Sequence, residues 1–358
     1  MNNFSKKLIS WYLQNKRFMP WRETRDPYHI WLSEIILQQT RVAQGLPYYE
    51  AFINAFPNVF DLAKAPEEVV LKLWQGLGYY SRARNLHYTA KQIVSDYNGV
   101  FPNSYKELLK LKGVGDYTAS AIASICFKEP TPVVDGNVYR VLSRYFNIHT
   151  PINSTAGNKE FKEIALQVID TQQPDVYNQA IMEFGALQCK PQNPYCIICP
   201  LHESCAGLQL GTITSLPVKL KKIKIKKRFF AYLVIITKNK HTIFQKRTST
   251  GIWQNLYEFP LLEFENDTYT IGDIEDHNSF KTIINQNHYT IKKIASASKI
   301  HKLSHQHLYT SFYLVITSNN LQLIPNQELI PISKISTYPV PILISNAIEH
   351  FEKNDLIL

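Results

Sequence analysis

The chain has 358 residues, 45% of them apolar, with 39 Lys and Arg against 29 Asp and Glu for a net charge of +10. That length suits two domains, the apolar content excludes a disordered chain, and the positive excess suits a polyanionic partner without bearing on fold. The apolar run after Lys6 and Lys7 is soon broken by Gln14, Asn15 and Lys16, so neither a signal peptide nor a membrane span is expected. The expected setting is the cytoplasm. There, four of the five cysteines crowded into residues 189–205 favour a metal or cluster over disulfides.

Residues 3–16 read as an amphipathic helix with Phe4, Leu8, Trp11 and Tyr12 on one side, broken by Met19-Pro20-Trp21-Arg22. Residues 28–44 read as a helix apolar nearly all round, hence central. Glu34 stands in it among Trp31, Ile35, Ile36 and Leu37, where a carboxylate is costly to bury unless it is partnered or functional. Pro66 leads a helix to Trp74. A Gly76-Leu77-Gly78-Tyr79-Tyr80 turn follows, and residues 81–97 are helical again.

Ser104 to Arg144 organises the rest. Ser104 caps a short helix, with Glu107 three residues on to complete a capping box. Lys112-Gly113-Val114-Gly115 turns the chain into a helix rich in alanine and serine. Its glycines, at a helix N-terminus, leave amide groups outward: either a plain helical hairpin or a phosphate site. Asp116 is expected to cap that helix, and its charge competes with a phosphate. Asp135 lies at the start of the next helix, where the dipole favours its ionised form, and by itself reads as a cap. Val138, Val141, Leu142, Tyr145 and Phe146 mark that helix's inner face, with Arg140 and Arg144 on another. Two more helices, 155–171 and 174–187, precede the cysteines.

Cys189, Cys196, Cys199 and Cys205 place four thiolates in one loop stiffened by Pro194 and Pro200. Such a set suits tetrahedral zinc or an iron–sulfur cluster. Cys126, on the small-residue helix, reads as a packing residue. After Gly211 the texture changes. Residues 217–228, PVKLKKIKIKKR, form a basic connector, read as a solvated linker or a lysine-guarded edge strand. Strand-like runs at 228–237, 241–246 and 309–317 and a helix at 342–352 describe a second, α+β domain.

Together these motifs resemble the endonuclease III superfamily of helix–hairpin–helix DNA glycosylases, and within it the MutY family of adenine DNA glycosylases. The resemblance rests on the hairpin with Asp135, the cysteine spacing, and Trp31-Leu32-Ser33-Glu34-Ile35-Ile36-Leu37-Gln38-Gln39-Thr40. It rests also on Gly76 to Arg82, on Asn178-Gln179-Ala180 to Gly185-Ala186, on Gly251-Ile252-Trp253 to Glu258-Phe259-Pro260, and on Leu303-Ser304-His305. It implies a multidomain chain. Residues 1–210 would be an all-α catalytic domain with a [4Fe–4S] cluster on the four cysteines, 211–228 a linker, and 229–358 an α+β Nudix-like domain that reads 8-oxoguanine.

The implied activity is excision of adenine opposite 8-oxoguanine or guanine in duplex DNA, by a monomer associated with the chromosome. Bifunctional relatives carry a lysine where this chain has Tyr117, and a tyrosine hydroxyl forms no Schiff base, so base removal without strand cleavage is expected. The alternative is a bifunctional glycosylase-lyase acting on oxidised pyrimidines. The resemblance makes Glu34 the general acid and Asp135 the partner of the developing sugar cation, with Tyr117 and Asn137 orienting carboxylates and water. Arg22 and Gln179 would hold the adenine edge, and Leu77 and Tyr79 would wedge the stack with Gln39 and Thr40 filling the gap. Ser304 and His305 would read the opposing base, and Gly113 and Gly115 would hold the DNA backbone. Leu303 stands where the family usually carries phenylalanine. The second domain lacks the acidic Nudix box, so nucleotide hydrolysis is not expected.

Overall fold

The structure is a computed structural model that describes residues 3–220, 225–285, 288–318 and 321–356. Residues 221–224 of the basic connector lie outside the described residues. The chain divides into two compact units, 1–64 with 85–221, and 65–84 with 222–358.

The first unit is helical. In chain order it holds α1 (Asn3–Asn15), α2 (Pro27–Leu37), α3 (Val42–Ala55) and α4 (Val59–Lys64). Further on, α5 (Glu67–Leu73) belongs to the second unit, and the boundary falls inside α6 (Ser81–Tyr97), after Arg84. The first unit continues with α7 (Tyr105–Leu108), α8 (Asp116–Phe127), α9 (Gly136–Tyr145), α10 (Thr155–Val168), α11 (Pro174–Leu187) and α12 (Ala206–Gln209). The segment expected as one helix over 28–44 is two. It breaks at residues 38–41, where Gln39 takes a positive φ of 56° before Val42 restarts the helix.

The α2 helix starts cleanly because the Asp26 carboxylate accepts the Tyr28 N–H at 2.8 Å and Pro27 occupies its first turn. Eight of its residues are buried, including Trp31, Leu32 and Ile36. It packs on α3 and α8, and the alanines and serines of α8 allow that close approach. Ser104 caps α7 by accepting the Glu107 N–H, the Glu107 carboxylate pairs with Lys110 at 2.6 Å, and the Tyr105 N–H goes to Glu129. The α8 helix is capped by Gly115 and not by Asp116, which is its first helical residue. Gly113 has a φ of 77°, and a Cβ there would meet the Asn85 Cβ at 2.7 Å, so the hairpin tolerates only glycine at that corner.

Among the described residues, the second unit is built on a sheet of seven strands: β1 (Lys226–Thr237), β2 (His241–Lys246), β3 (Tyr257–Glu258), β4 (Leu261–Phe264), β5 (Tyr289–Lys302), β6 (Gln306–Thr317) and β7 (Gln327–Pro331). Its main order is β3-β2-β1-β6-β5, with β4 on β1 and β7 on β2; β1 and β6 run parallel and the other pairs are antiparallel. The FFAYLVII run of β1 is continuously apolar because both its faces are covered. One face packs on α13 (Ile271–Asp276) and α14 (Asn278–Ile284) through Ala231, Leu233, Ile274, Phe280 and Ile283. On the other, Phe351 of α15 (Ile342–Lys353) meets Phe312 and Phe259. The strand β5 was not legible in the sequence, because a register shift between Ile294 and Lys299 breaks its alternation.

Candidate active site

In the first unit, α2, α8, α9 and α11 each contribute side chains to one cavity of about 540 Å³. It is lined by Arg22, Glu34, Thr40, Tyr117, Asp135, Asn137 and Gln179 from the sequence-derived set, and also by Arg17, Met182 and Glu183. Glu34 and Asp135, a hundred positions apart, therefore share one space.

Their environments differ. Glu34 is 8% exposed. Burial pushes its pKa from an ordinary 4.5 up to about 7, against the opposing pull of a hydrogen bond from the Tyr117 hydroxyl. The Asp135 charge raises it further and Arg22 lowers it. Asp135 is half-buried and caps α9. Its Oδ1 accepts the Asn137 and Val138 N–H groups at 2.9 and 2.8 Å, and its Oδ2 accepts the Asn137 amide at 2.9 Å. The helix start was expected to favour its ionised form, yet burial outweighs those donors and raises its pKa. Even so, every polar group bonded to Asp135 is a donor, so its bonding suits the carboxylate. The Tyr117 hydroxyl lies between Glu34 and the Met182 sulfur, 3.3 Å away, and burial with two neighbouring carboxylates pushes its pKa well up.

Arg22 does not present a free guanidinium. It donates to Glu183 at 3.0 and 3.2 Å, and Arg17 reaches the same carboxylate through its backbone and side chain at 2.7–2.9 Å. Burial alone would push the Glu183 pKa up, but these bonds overcome it and hold it at about 2. Gln179 accepts from the Tyr12 hydroxyl at 2.8 Å, which fixes its amide orientation. Sequence reading missed Arg17, Met182 and Glu183. The available signal was a carboxylate four residues after Gln179 on one helix face. Gln39 is exposed and does not line this cavity.

Leu77, Tyr79, Ser304 and His305 lie elsewhere, around a cavity of about 350 Å³ in the second unit that also includes Trp253. The Tyr79 and Ser304 hydroxyls are 2.5 Å apart. Leu77 is buried, Tyr79 is 51% exposed, and Ser304 sits at the tip of the turn between β5 and β6. Gly113 and Gly115 form the hairpin before α8, and a Cβ on Gly115 would project into open space.

The four loop cysteines line a single cavity with Val141, Phe184 and Leu201, and none forms a disulfide. Two arginines of α9 brace the cysteine loop through its backbone, and Arg144 also lines the cavity. Arg140 donates to the Cys189 carbonyl at 2.7 Å, and Arg144 to the Lys190 and Pro191 carbonyls at 2.7 and 3.0 Å. Arg144 also lies 3.5 Å from the Cys189 sulfur. Burial pushes the Cys199 thiol up to about 11 and raises Cys196 and Cys205 as well. Among the described residues, no three His, Cys, Asp or Glu side chains converge on a point for one metal ion. Lys190 is occupied with the Tyr195 ring, 3.8 Å from its centroid. No helix among the described residues is long and apolar enough to cross a membrane.

Residues 32–165 match the HhH-GPD superfamily of base excision DNA repair proteins, and residues 231–350 match the NUDIX domain. Among solved structures, a thermostable thymine-DNA glycosylase is 30% identical with a TM-score of 0.54, over 58% of this chain and 95% of that one. An endonuclease III–DNA complex, 22% identical at a TM-score of 0.51 over 58% and 94%, shares the fold of that region. The adenine DNA glycosylase of Schizosaccharomyces pombe is 30% identical over 93% of this chain and 86% of its own. That of Buchnera aphidicola subsp. Baizongia pistaciae is 37% identical over 91% of this chain and 89% of its own. With likeness running through both units, the chain belongs to the adenine DNA glycosylase family.

Proposed function

We propose that this chain is a base excision repair enzyme that hydrolyses the N-glycosidic bond of adenine mispaired with 8-oxoguanine or guanine in duplex DNA. The observation that carries the reading is one cavity holding a buried carboxyl with a pKa near 7 and a second carboxyl bonded only by donors. Adenine inside a duplex is out of reach, so the nucleotide must be everted into that cavity. Adenine leaves readily once a ring nitrogen is protonated. Glu34 supplies that proton, since its pKa near 7 leaves much of it protonated at neutral pH. The Asp135 carboxylate then faces the positive charge growing on the deoxyribose, as the second carboxylate does in retaining glycosidases. Asn137 holds Asp135 in place, and Tyr117 holds Glu34.

Gln179 and the Arg22–Glu183–Arg17 group offer a polar wall for the adenine edge. Thr40 lines the same cavity and, with Gln39, would fill the gap left by eversion. Tyr117, whose hydroxyl forms no Schiff base, lines the cavity where bifunctional relatives carry a lysine, which supports base removal without strand cleavage. In the second unit, Leu77 and Tyr79 would wedge the stack while Ser304 and His305 read the opposing base. Gly113 and Gly115 would hold a phosphate through the amides before α8. The catalytic domain is taken as residues 1–210, the linker as 211–228 and the recognition domain as 229–358. Residues 65–84, which carry the proposed wedge, fall within those bounds of the catalytic domain but group by compactness with the second unit.

A [4Fe–4S] cluster on Cys189, Cys196, Cys199 and Cys205 suits the donor set, four cysteines that border one cavity. When bound, it supplies four thiolate bonds that close the loop, and glycosidic hydrolysis needs no electron from it. The deciding experiment is single-turnover excision on duplexes carrying A opposite 8-oxoguanine, G or T, with borohydride trapping alongside. Fast release opposite 8-oxoguanine and G without a trapped adduct supports the reading. A trapped adduct, or release of oxidised pyrimidines instead, refutes it.

A further inference from the structure

The hairpin assigned to a phosphate is followed at once by an acid, and an uncompensated carboxylate there would repel the DNA backbone. Asp116 is compensated. Lys162, in the middle of α10, places its Nζ 3.0 and 3.1 Å from the two Asp116 oxygens, and the Tyr105 hydroxyl donates to the same carboxylate. The ammonium is itself anchored. It donates to the Pro132 carbonyl at 3.1 Å, lies 3.3 Å from Ser120 Oγ, and stands 5.4 Å from the Tyr105 ring centroid. Surface ion pairs between free side chains contribute little because both partners must be ordered. Here a carbonyl, a hydroxyl and a ring have already ordered the lysine, whose side chain is 27% exposed against 53% for Asp116.

We infer that Lys162 is a positioning residue for DNA, cancelling the Asp116 charge so that the Lys112–Gly115 hairpin stays attractive to a phosphodiester. This rests on the hairpin reading proposed above. Asp116 thereby retains its bonds to Tyr105 and Lys162 without opposing the ligand, and the space in front of Gly115 is open to a backbone.

The test measures binding of the full-length protein to plain duplex DNA by fluorescence anisotropy at low and high salt, with thermal melting as a folding check. Lys162→Met should weaken binding about threefold to tenfold at low salt and less at high salt. Asp116→Asn should bind as tightly as the parent or tighter, and the double variant should return to within about twofold of the parent. A lysine that touched phosphate itself, or only latched Pro132, would leave the double variant as weak as Lys162→Met, which overturns the inference. Gly115→Val, whose added carbons enter open space, separates the two readings. If it weakens binding and Lys162→Met does not, the inference alone fails. If neither weakens binding, the hairpin reading fails and the inference with it. Should Lys162→Met not fold, Asp116→Asn decides: weaker binding in that variant overturns the inference.

Discussion

Replacing Glu34 by glutamine should stabilise the protein at alkaline pH while destroying its chemistry. The Glu34 pKa stands at about 7 in the folded chain against an ordinary 4.5, because burial disfavours the charge. Below pH 4.5 the carboxyl is protonated in both folded and unfolded states. Between 4.5 and 7 the folded state holds the proton that the unfolded state has lost, so stability falls as pH rises through that window. Above 7 the full penalty is reached, about 3 kcal/mol at roughly 1.4 kcal/mol per unit of pKa. Glutamine has nothing to ionise. At pH 8, Glu34→Gln should therefore melt about 6–12 °C above the parent, given about 2–4 °C per kcal/mol for a unit of this size. At pH 5 the two proteins should melt nearly together. Scanning calorimetry at both pH values, following the transition of the first unit, makes the comparison. An equal shift at pH 5 and pH 8, or a lower melting temperature for the variant at pH 8, would refute the assignment of a buried, proton-bearing Glu34.

Three further outcomes follow from the same geometry. Single-turnover excision should fall about tenfold per pH unit above about 7 as Glu34 loses its proton, and a rate flat from pH 6 to pH 9 would contradict its role as acid. Asn178 is fully buried; it accepts the Val133 N–H at 3.1 Å and donates to Ser124 Oγ and the Thr131 carbonyl at 2.8 and 2.9 Å, bracing the segment that ends in Asp135. Asn178→Ala should cost about 2–4 kcal/mol in urea unfolding, because buried backbone groups lose their partners; a loss under about 1 kcal/mol would show that the brace is dispensable. Cys199→Ser should lose the visible absorbance of an iron–sulfur cluster and bind DNA more weakly, whereas purified parent protein holding zinc and no iron would contradict the cluster assignment.

The legible parts of the site were those written in local sequence. Glu34 stood out because a charge interrupted an apolar helix, and Asp135 because it followed a glycine hairpin at a helix start. The cysteines were legible by spacing. Partners distant in the chain were not. Glu183 is held by Arg17, 166 residues away, and nothing in either segment announces the pair. The same holds for Lys162, which is 46 residues from the acid it neutralises, so Asp116 was expected to cap its helix when Gly115 does so. The break after Leu37 carries neither glycine nor proline and depends on Gln39 adopting a left-handed backbone that tertiary packing selects. The grouping of 65–84 with the C-terminal sheet comes from long-range contacts such as Glu68 with Lys246 and Tyr257. The α+β character of the second unit was readable from β1 and β6, while β5 was hidden by its register shift.

The central claim is that two carboxyl groups in one cavity divide the work, one giving a proton to the base and the other steadying the sugar cation. Single-turnover excision of adenine opposite 8-oxoguanine by Glu34→Gln and Asp135→Asn, with binding to the same duplex measured in parallel, tests it most directly. The account predicts that each variant binds the duplex while losing nearly all excision. Near-parental excision by either variant would contradict it.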